Sequence, residues 1–282
     1  MAKGAKSGGG VAKAREEARP VEGLRQQVTA LEAAMALVMG DPLKKPVHRL
    51  RTTTRRIEAQ LELLGMLRGE DAGIRAALRE SAKVRKLLGE VRQAAGKVRD
   101  LDVQTEMVKK AVAGESLKGL LDEAAGLEEF LDGRRRKAAD ALVKKLEGHA
   151  LELGPKLEVM MKLLEPAQEM EVADTRLVEL TRGWYERGVK AAGKEDSEER
   201  LHGIRKRAKL ARYIAEGGGE VAAKTGAEFE ELQEIGGKWH DALTLRQLAK
   251  KRLGKKAGLT EMFAVREGRA LAAYKRKLAA RG

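Results

Sequence analysis

The sequence predicts an all-helical protein, and three observations carry that reading. Ala, Leu, Glu, Lys and Arg dominate the 282 residues while aromatic residues make up 3%, and β-branched runs are scarce, a composition that favours helix over strand. Apolar residues recur at spacings of three and four through long stretches, the period of an amphipathic helix. The 31 glycines fall largely between those stretches and mark helix ends. At this length the chain can bury one large core or two smaller ones.

Residues 1–19 are rich in Gly, Lys and Ala without an apolar stripe, which predicts a disordered basic tail over 1–20 that ends at Pro20. Val21, Leu24, Val28, Leu31 and Met35 then share one helical face, and Gly40-Asp41-Pro42 ends that helix. Asp41 as N-cap and Pro42 as first helical residue predict the next helix from about 43 to 67, with Gly69 and Gly73 bracketing a turn. Further helices are expected at 74–95, 97–113 and 116–148. Gly154-Pro155 and Glu165-Pro166 are the clearest interior breaks and put the boundary between two halves, 21–150 and 151–282, near 150–170. The second half is expected to hold helices at 171–190, 196–216, 220–236, 238–253 and 260–281, the second opened by Asp196 with Glu199 at capping-box spacing. Gly89, Gly96 and Gly203 should weaken their helices locally.

The charge is strongly positive: 57 Lys and Arg against 43 Asp and Glu give a formal +14. Both halves carry an excess, so a basic tail does not explain it. With no cysteine, disulfide scaffolds, thiol catalysis, Cys-ligated zinc and iron–sulfur clusters are excluded. No stretch is apolar enough for a membrane span and the first twenty residues lack a signal-peptide core, so the expected address is the cytosol.

The chain repeats itself. VHRLRTTTRRI at 47–57 aligns with LHGIRKRAKLA at 201–211, placing His48, Arg51 and Arg55 opposite His202, Arg205 and Lys209. At about 100° per residue each trio occupies one arc of a helix, roughly 60° wide, beside a core stripe formed by Val47, Leu50, Ile57 and Leu61 or by Leu201, Ile204, Ala208 and Ala211. Downstream, GKVRDLDV at 96–103 matches GKWHDALT at 237–244. The ordered recurrence of both elements argues for an internal duplication.

The local density of charge points to an anion. Residues 44–56 and 205–212 hold six and five Lys or Arg without an acid, and like charges on adjacent turns repel unless an external anion or another helix neutralises them. Arginine suits phosphate because its fork donates to two oxygens, and a linear polyanion needs many such contacts. His48, Arg51, Arg55, His202, Arg205 and Lys209 are the candidate inner face, flanked by Arg49, Arg56, Lys206 and Arg212. The histidines either donate to phosphate or are neutral structural residues. Lys97, Arg99, Lys238 and His240 are expected near helix starts, where free backbone N–H groups favour anions. Asp100 and Asp241 are assigned to orienting the first motif or capping a helix. Arg134-Arg135-Arg136-Lys137 and Lys250-Lys251-Arg252 read as solvated faces, and Trp184 and Trp239 as core or interface residues. Gly218 to Thr225 nearly spells a phosphate-binding loop, but Ala223 replaces a required glycine and no strand precedes it.

VHRLRTTTRRIEAQLELL and GKVRDLDV, with LHGIRKRAKLARYI and LQEIGGKWHDAL in the second half, resemble the CHAD domain, the conserved-histidine α-helical domain, from about 21 to 281. The resemblance implies two antiparallel four-helix bundles related by a pseudo-two-fold, with basic helix faces turned to a central groove. It also implies binding of inorganic polyphosphate, often on cytoplasmic granules, with no cofactor and no catalysis. One departure is Glu58, where the family commonly has a basic residue that the second repeat keeps as Arg212, which predicts a stronger grip in the second half. The family's frequent companion, the CYTH triphosphatase domain, would bring an alternating Glu-x-Glu-x-Lys strand, and these 282 residues hold none. Two other functions remain open at this point. The charge would attract DNA or RNA by counterion release, more weakly and without specificity. A Mg²⁺-dependent hydrolase using Asp100, Asp102 or Asp241 lacks a carboxylate cluster of metal-ligand spacing. A membrane-surface role is disfavoured because the apolar stripes suit bundle packing.

Overall fold

The computed structural model describes residues 17–69 and 71–281. Among them are eight long helices: α1 (Pro20–Gly40), α2 (Lys44–Leu67), α3 (Ala72–Ala111), α4 (Lys118–Leu163), α5 (Asp174–Ala191), α6 (Glu198–Ala215), α7 (Glu220–Leu253) and α8 (Gly258–Ala279). The tail expected over 1–20 lies outside the described residues as far as 16. Glu17 and Ala18 belong instead to a short antiparallel pairing with Val172 and Ala173, and Pro20 is the first residue of α1. Arg19 Nη2 adds a hydrogen bond of 2.5 Å to Glu171 Oε1, so the start of the first four helices is fastened to the segment that introduces the last four.

Several expected breaks are absent. α3 runs unbroken through Gly89 and Gly96, and α7 through Gly236 and Gly237. α4 continues through Gly154 and Pro155, so the expected division at 150 falls inside a helix and the chain passes between the two sets at 164–173. Pro155 deprives the Leu151 carbonyl of its helical partner, but Leu151 is 88% exposed and water serves that side. Caps differ too. Asp41 closes α1, Leu43 precedes α2, and Ser197 rather than Asp196 caps α6, its side chain accepting from Arg200 N at 3.2 Å. Asp196 accepts a hydrogen bond from Lys275 instead. The near phosphate loop is filled by protein: Asp174 accepts from Gly219 N at 2.7 Å at the α7 N-terminus.

Four apolar clusters hold the helices together. One joins α1 to α4 around residues such as Leu24, Leu50, Val91 and Leu146. Another joins α5 to α8 around Tyr185, Phe229, Trp239 and Tyr274. The remaining two cross between the sets: Leu101, Leu127 and Leu131 meet Leu245 and Phe263, and Ala59 and Leu63 meet Leu177, Tyr213 and Ile214. α2 and α6 therefore lie against each other in the middle, anchored by apolar contacts on both sides of the seam. The first motif of each repeat sits on the second helix of its set and the second motif on the third.

Candidate functional site

The seam opens into a groove of about 1060 Å³ between α2, α3, α6 and α7. The core stripes create it: Leu50 and Ile57 on α2, with Leu201, Ile204 and Ala208 on α6, are buried, which turns the adjoining arcs of both helices toward one another. Arg51 and Arg55 from α2 and His202, Arg205, Lys206 and Lys209 from α6 line the opening. Lys97, Arg99 and Asp100 from α3 and Lys238, His240 and Asp241 from α7 line its sides. These last residues occupy the middle of long helices, not helix starts, so they present side chains to the groove and no free backbone N–H groups. Gly96 lies against Arg51, whose Nε is 3.5 Å from where a methyl group on Gly96 would sit, an ordinary contact distance.

The cations on the groove floor lack carboxylate partners. Among the described residues, Arg51, Arg55, Arg205 and Lys209 make no ion pair within 4.0 Å, and the buried Nε–H groups of Arg51, Arg55 and Arg205 have no hydrogen-bond acceptor. Removal from water disfavours their charged forms. Burial, then Arg51, Arg55, Arg205 and Arg99, push the Lys209 amine down to about 6. Burial, then Arg51 and Arg92, bring Arg55 down to about 10, and burial lowers Arg51 and Arg205 as well. An anion in the groove would return to these groups the stabilisation that water no longer provides.

The histidines are not equivalent. His202 stacks on His240 with ring centroids 4.5 Å apart and its Nδ1 faces Arg205 Nη2 at 3.5 Å. Burial, then Arg205 and Lys206, lower it to about 3, so its imidazole is neutral and accepts. His48, expected on the inner face, is exposed near the start of α2 and does not line the groove; burial and then Arg99, Lys209 and Arg51 lower it. Asp241 lies 3.5 Å from Arg99 Nη1 and 3.7 Å from His240 Nδ1. Burial works to raise it, but His240, Arg99 and Arg205 outweigh that and keep it ionised. Asp100 lies 3.4 Å from Arg99, so both aspartates serve the second motif as well as the floor. Asp102 turns to Arg135 Nε at 2.9 Å.

Three flanking candidates stand elsewhere. Arg56 pairs with Glu216 at 3.2 Å and stacks over Tyr213. Arg212 pairs with Glu216 and Glu230 at 2.6 and 2.7 Å, so its charge is already paired within the protein. Arg49 is exposed and does not line the groove. Conversely, Arg92, Gln233 and Arg207, which the motifs do not single out, line it, as does Trp184, expected as a core or interface residue. Arg92 bonds Glu58 at 2.5 Å, so the acid that departs from the family's pattern is paired. Arg207 lies over the Trp184 ring, 5.0 Å from its centroid, while Trp239 is buried.

Fold and site together define an all-helical protein with a recessed cationic groove. The family model described as the CHAD domain matches residues 22–250, and the chain belongs to that family. Two solved structures share the fold. The crystal structure of the CHAD domain from the plant Ricinus communis is 18% identical with a TM-score of 0.60, and the match covers 94% of this chain and 93% of that one. PptA from Streptomyces chartreusis is 16% identical with a TM-score of 0.62, over 93% of this chain and 98% of that one. No curated protein sequence matches. No helix among the described residues is long and apolar enough to cross a membrane.

Proposed function

We propose that this CHAD protein binds inorganic polyphosphate in the groove between α2, α3, α6 and α7, as a non-catalytic module of cytoplasmic polyphosphate granules. The observation that carries the reading is the convergence of Arg51, Arg55, Arg205 and Lys209 from two helices without a carboxylate within 4.0 Å among the described residues. Like charges held together out of water require a counter-anion of high charge density, and a phosphate chain supplies one charge per unit along a thin strand. The floor cations are half-buried, within reach of a bare chain. Of the cations lining the groove, a duplex, with its phosphates on a wide cylinder, would meet the exposed Lys97, Lys206 and Lys238. The absence of catalysis is supported by the carboxylates, since Asp100 and Asp241 face Arg99 and Asp102 bonds Arg135. The granule assignment rests on the family.

Calorimetric titration of the nuclease-treated protein with polyphosphate at two salt concentrations tests this, beside an Arg51/Arg55/Arg205/Lys209→Ala variant and with duplex DNA as rival. Tight, salt-sensitive binding is expected, lost in the variant and not displaced by DNA. Equal binding by the variant, or displacement by DNA, overturns the site. Mg²⁺-dependent phosphate release that disappears in Asp241→Asn overturns the non-catalytic assignment.

A further inference from the structure

Lys97 lines the central groove and also a second hollow of about 400 Å³ between α3, α4 and α7. That hollow differs from the groove in its lining. The groove includes Glu58, Asp100, Glu234 and Asp241, whereas no acid lines the hollow, whose polar residues are Lys97, Arg134 and Lys251 with the neutral Gln104, Thr244 and Gln247. Arg134 and Lys251 are exposed and form no ion pair within 4.0 Å among the described residues. Arg134 is steadied by an aromatic face, its Cζ 5.7 Å from the Phe130 centroid, and Arg252 takes the same ring at 4.1 Å. In a chain with 43 acidic residues, a concave surface with three cations and no acid marks a place where an external anion supplies the opposite charge. The adjoining Arg135 shows the contrast, bonding Asp102 at 2.9 Å and the Pro42 carbonyl at 2.7 Å.

We infer that the phosphate path continues out of the central groove past Lys97 into this hollow, so that Arg134 and Lys251 bind the protruding part of a long polyphosphate chain and set a preference for chains longer than the groove holds. The inference rests on the polyphosphate reading above. Short phosphates have their contacts on the groove floor and do not reach α4. A longer chain gains the two further cations and the amide donors of Gln104 and Gln247, each exposed cation adding modest energy and one more released counterion.

The test compares tripolyphosphate with long-chain polyphosphate on the full chain, by calorimetric titration over a salt series. Arg134→Ala/Lys251→Ala is expected to weaken the long chain by roughly three- to tenfold and to lower its salt slope by about one to two, leaving tripolyphosphate unchanged. Gln247→Glu, which places a carboxylate in the hollow, should weaken the long chain selectively as well. Arg79→Ala/Lys83→Ala removes two exposed cations from the opposite end of α3 and should change neither ligand. If the Arg134/Lys251 variant loses both ligands alike or neither, or if the Arg79/Lys83 control loses the long chain equally, the extended path is wrong while the groove stands. If neither ligand binds the unsubstituted protein, the polyphosphate reading fails and the path with it.

Discussion

Arg99 on α3 reaches across the seam to Asp241 on α7 at 3.5 Å, although in the repeat Asp241 is the counterpart of Asp100, the residue beside Arg99. Asp241 thus ties the two sets of helices together and offsets the repulsion between Arg99, Arg205 and their neighbours.

Replacing Asp241 by Asn keeps the shape and removes that charge. The free protein should lose about 1–2 kcal/mol, a few degrees of melting temperature, and polyphosphate should restore more stability to the variant than to the unsubstituted protein. Thermal unfolding with and without ligand checks both parts, and an unchanged melting temperature would falsify the role of Asp241.

Lys209 pits stability against binding. Its amine is half-buried among Arg51, Arg55 and Arg205, so Lys209→Met, of similar length, should remove the cost of burying the amine and of giving up its proton on folding. A higher melting temperature is expected together with weaker polyphosphate binding. If the variant melts earlier, the amine contributes an attractive contact that the charge arrangement does not account for.

The same amine makes binding pH-dependent. With Lys209 held near 6 against an ordinary 10.5, the unfolded chain binds more protons than the folded one between those values, so the free protein gains stability as pH rises through that window. A bound polyanion raises the folded value again. Complex formation at neutral pH therefore takes up protons, and affinity falls as pH rises above about 6 by up to roughly tenfold per unit for each proton taken up. Titration in buffers of different ionisation enthalpy measures the uptake directly, and the absence of any buffer dependence would contradict the assignment.

Gly237 leaves the groove open. It lines the wall from mid-α7, and a methyl group there would meet nothing within 4 Å. Gly237→Leu should therefore raise helix stability by several tenths of a kcal/mol while its side chain fills the phosphate path. A melting temperature at or above that of the unsubstituted protein with reduced polyphosphate affinity is expected; retained affinity would place the ligand away from α7.

Much of this architecture was legible in the sequence, and its errors have specific causes. Glycine and proline predict breaks at 96, 154–155 and 237, yet Gly96 faces Arg51, Gly237 follows Gly236, which packs against the Tyr274 ring, and Pro155 lies on an exposed face, where packing or water offsets the local cost. Dividing α3 and α7 at those glycines also hid two groove residues. Arg92 and Gln233 precede Gly96 and Gly237 by four residues, one turn along the same face, which becomes visible only when each helix is continuous. Arg56 and Arg212 follow groove-facing or buried neighbours by a rotation of about 100°, and each met a glutamate across the seam or along its own helix.

Composition and periodicity by themselves determined that the chain is helical, that its charge is shared between two halves, and that two pairs of motifs recur in order, because these properties depend on neighbours a few residues apart. Tertiary structure decided which cations remain unneutralised. Burial and Coulomb interactions depend on distances through space: Arg92, Arg135 and Arg212 found carboxylates as the helices packed, whereas Arg51, Arg55, Arg205 and Lys209 were left facing one another across the seam.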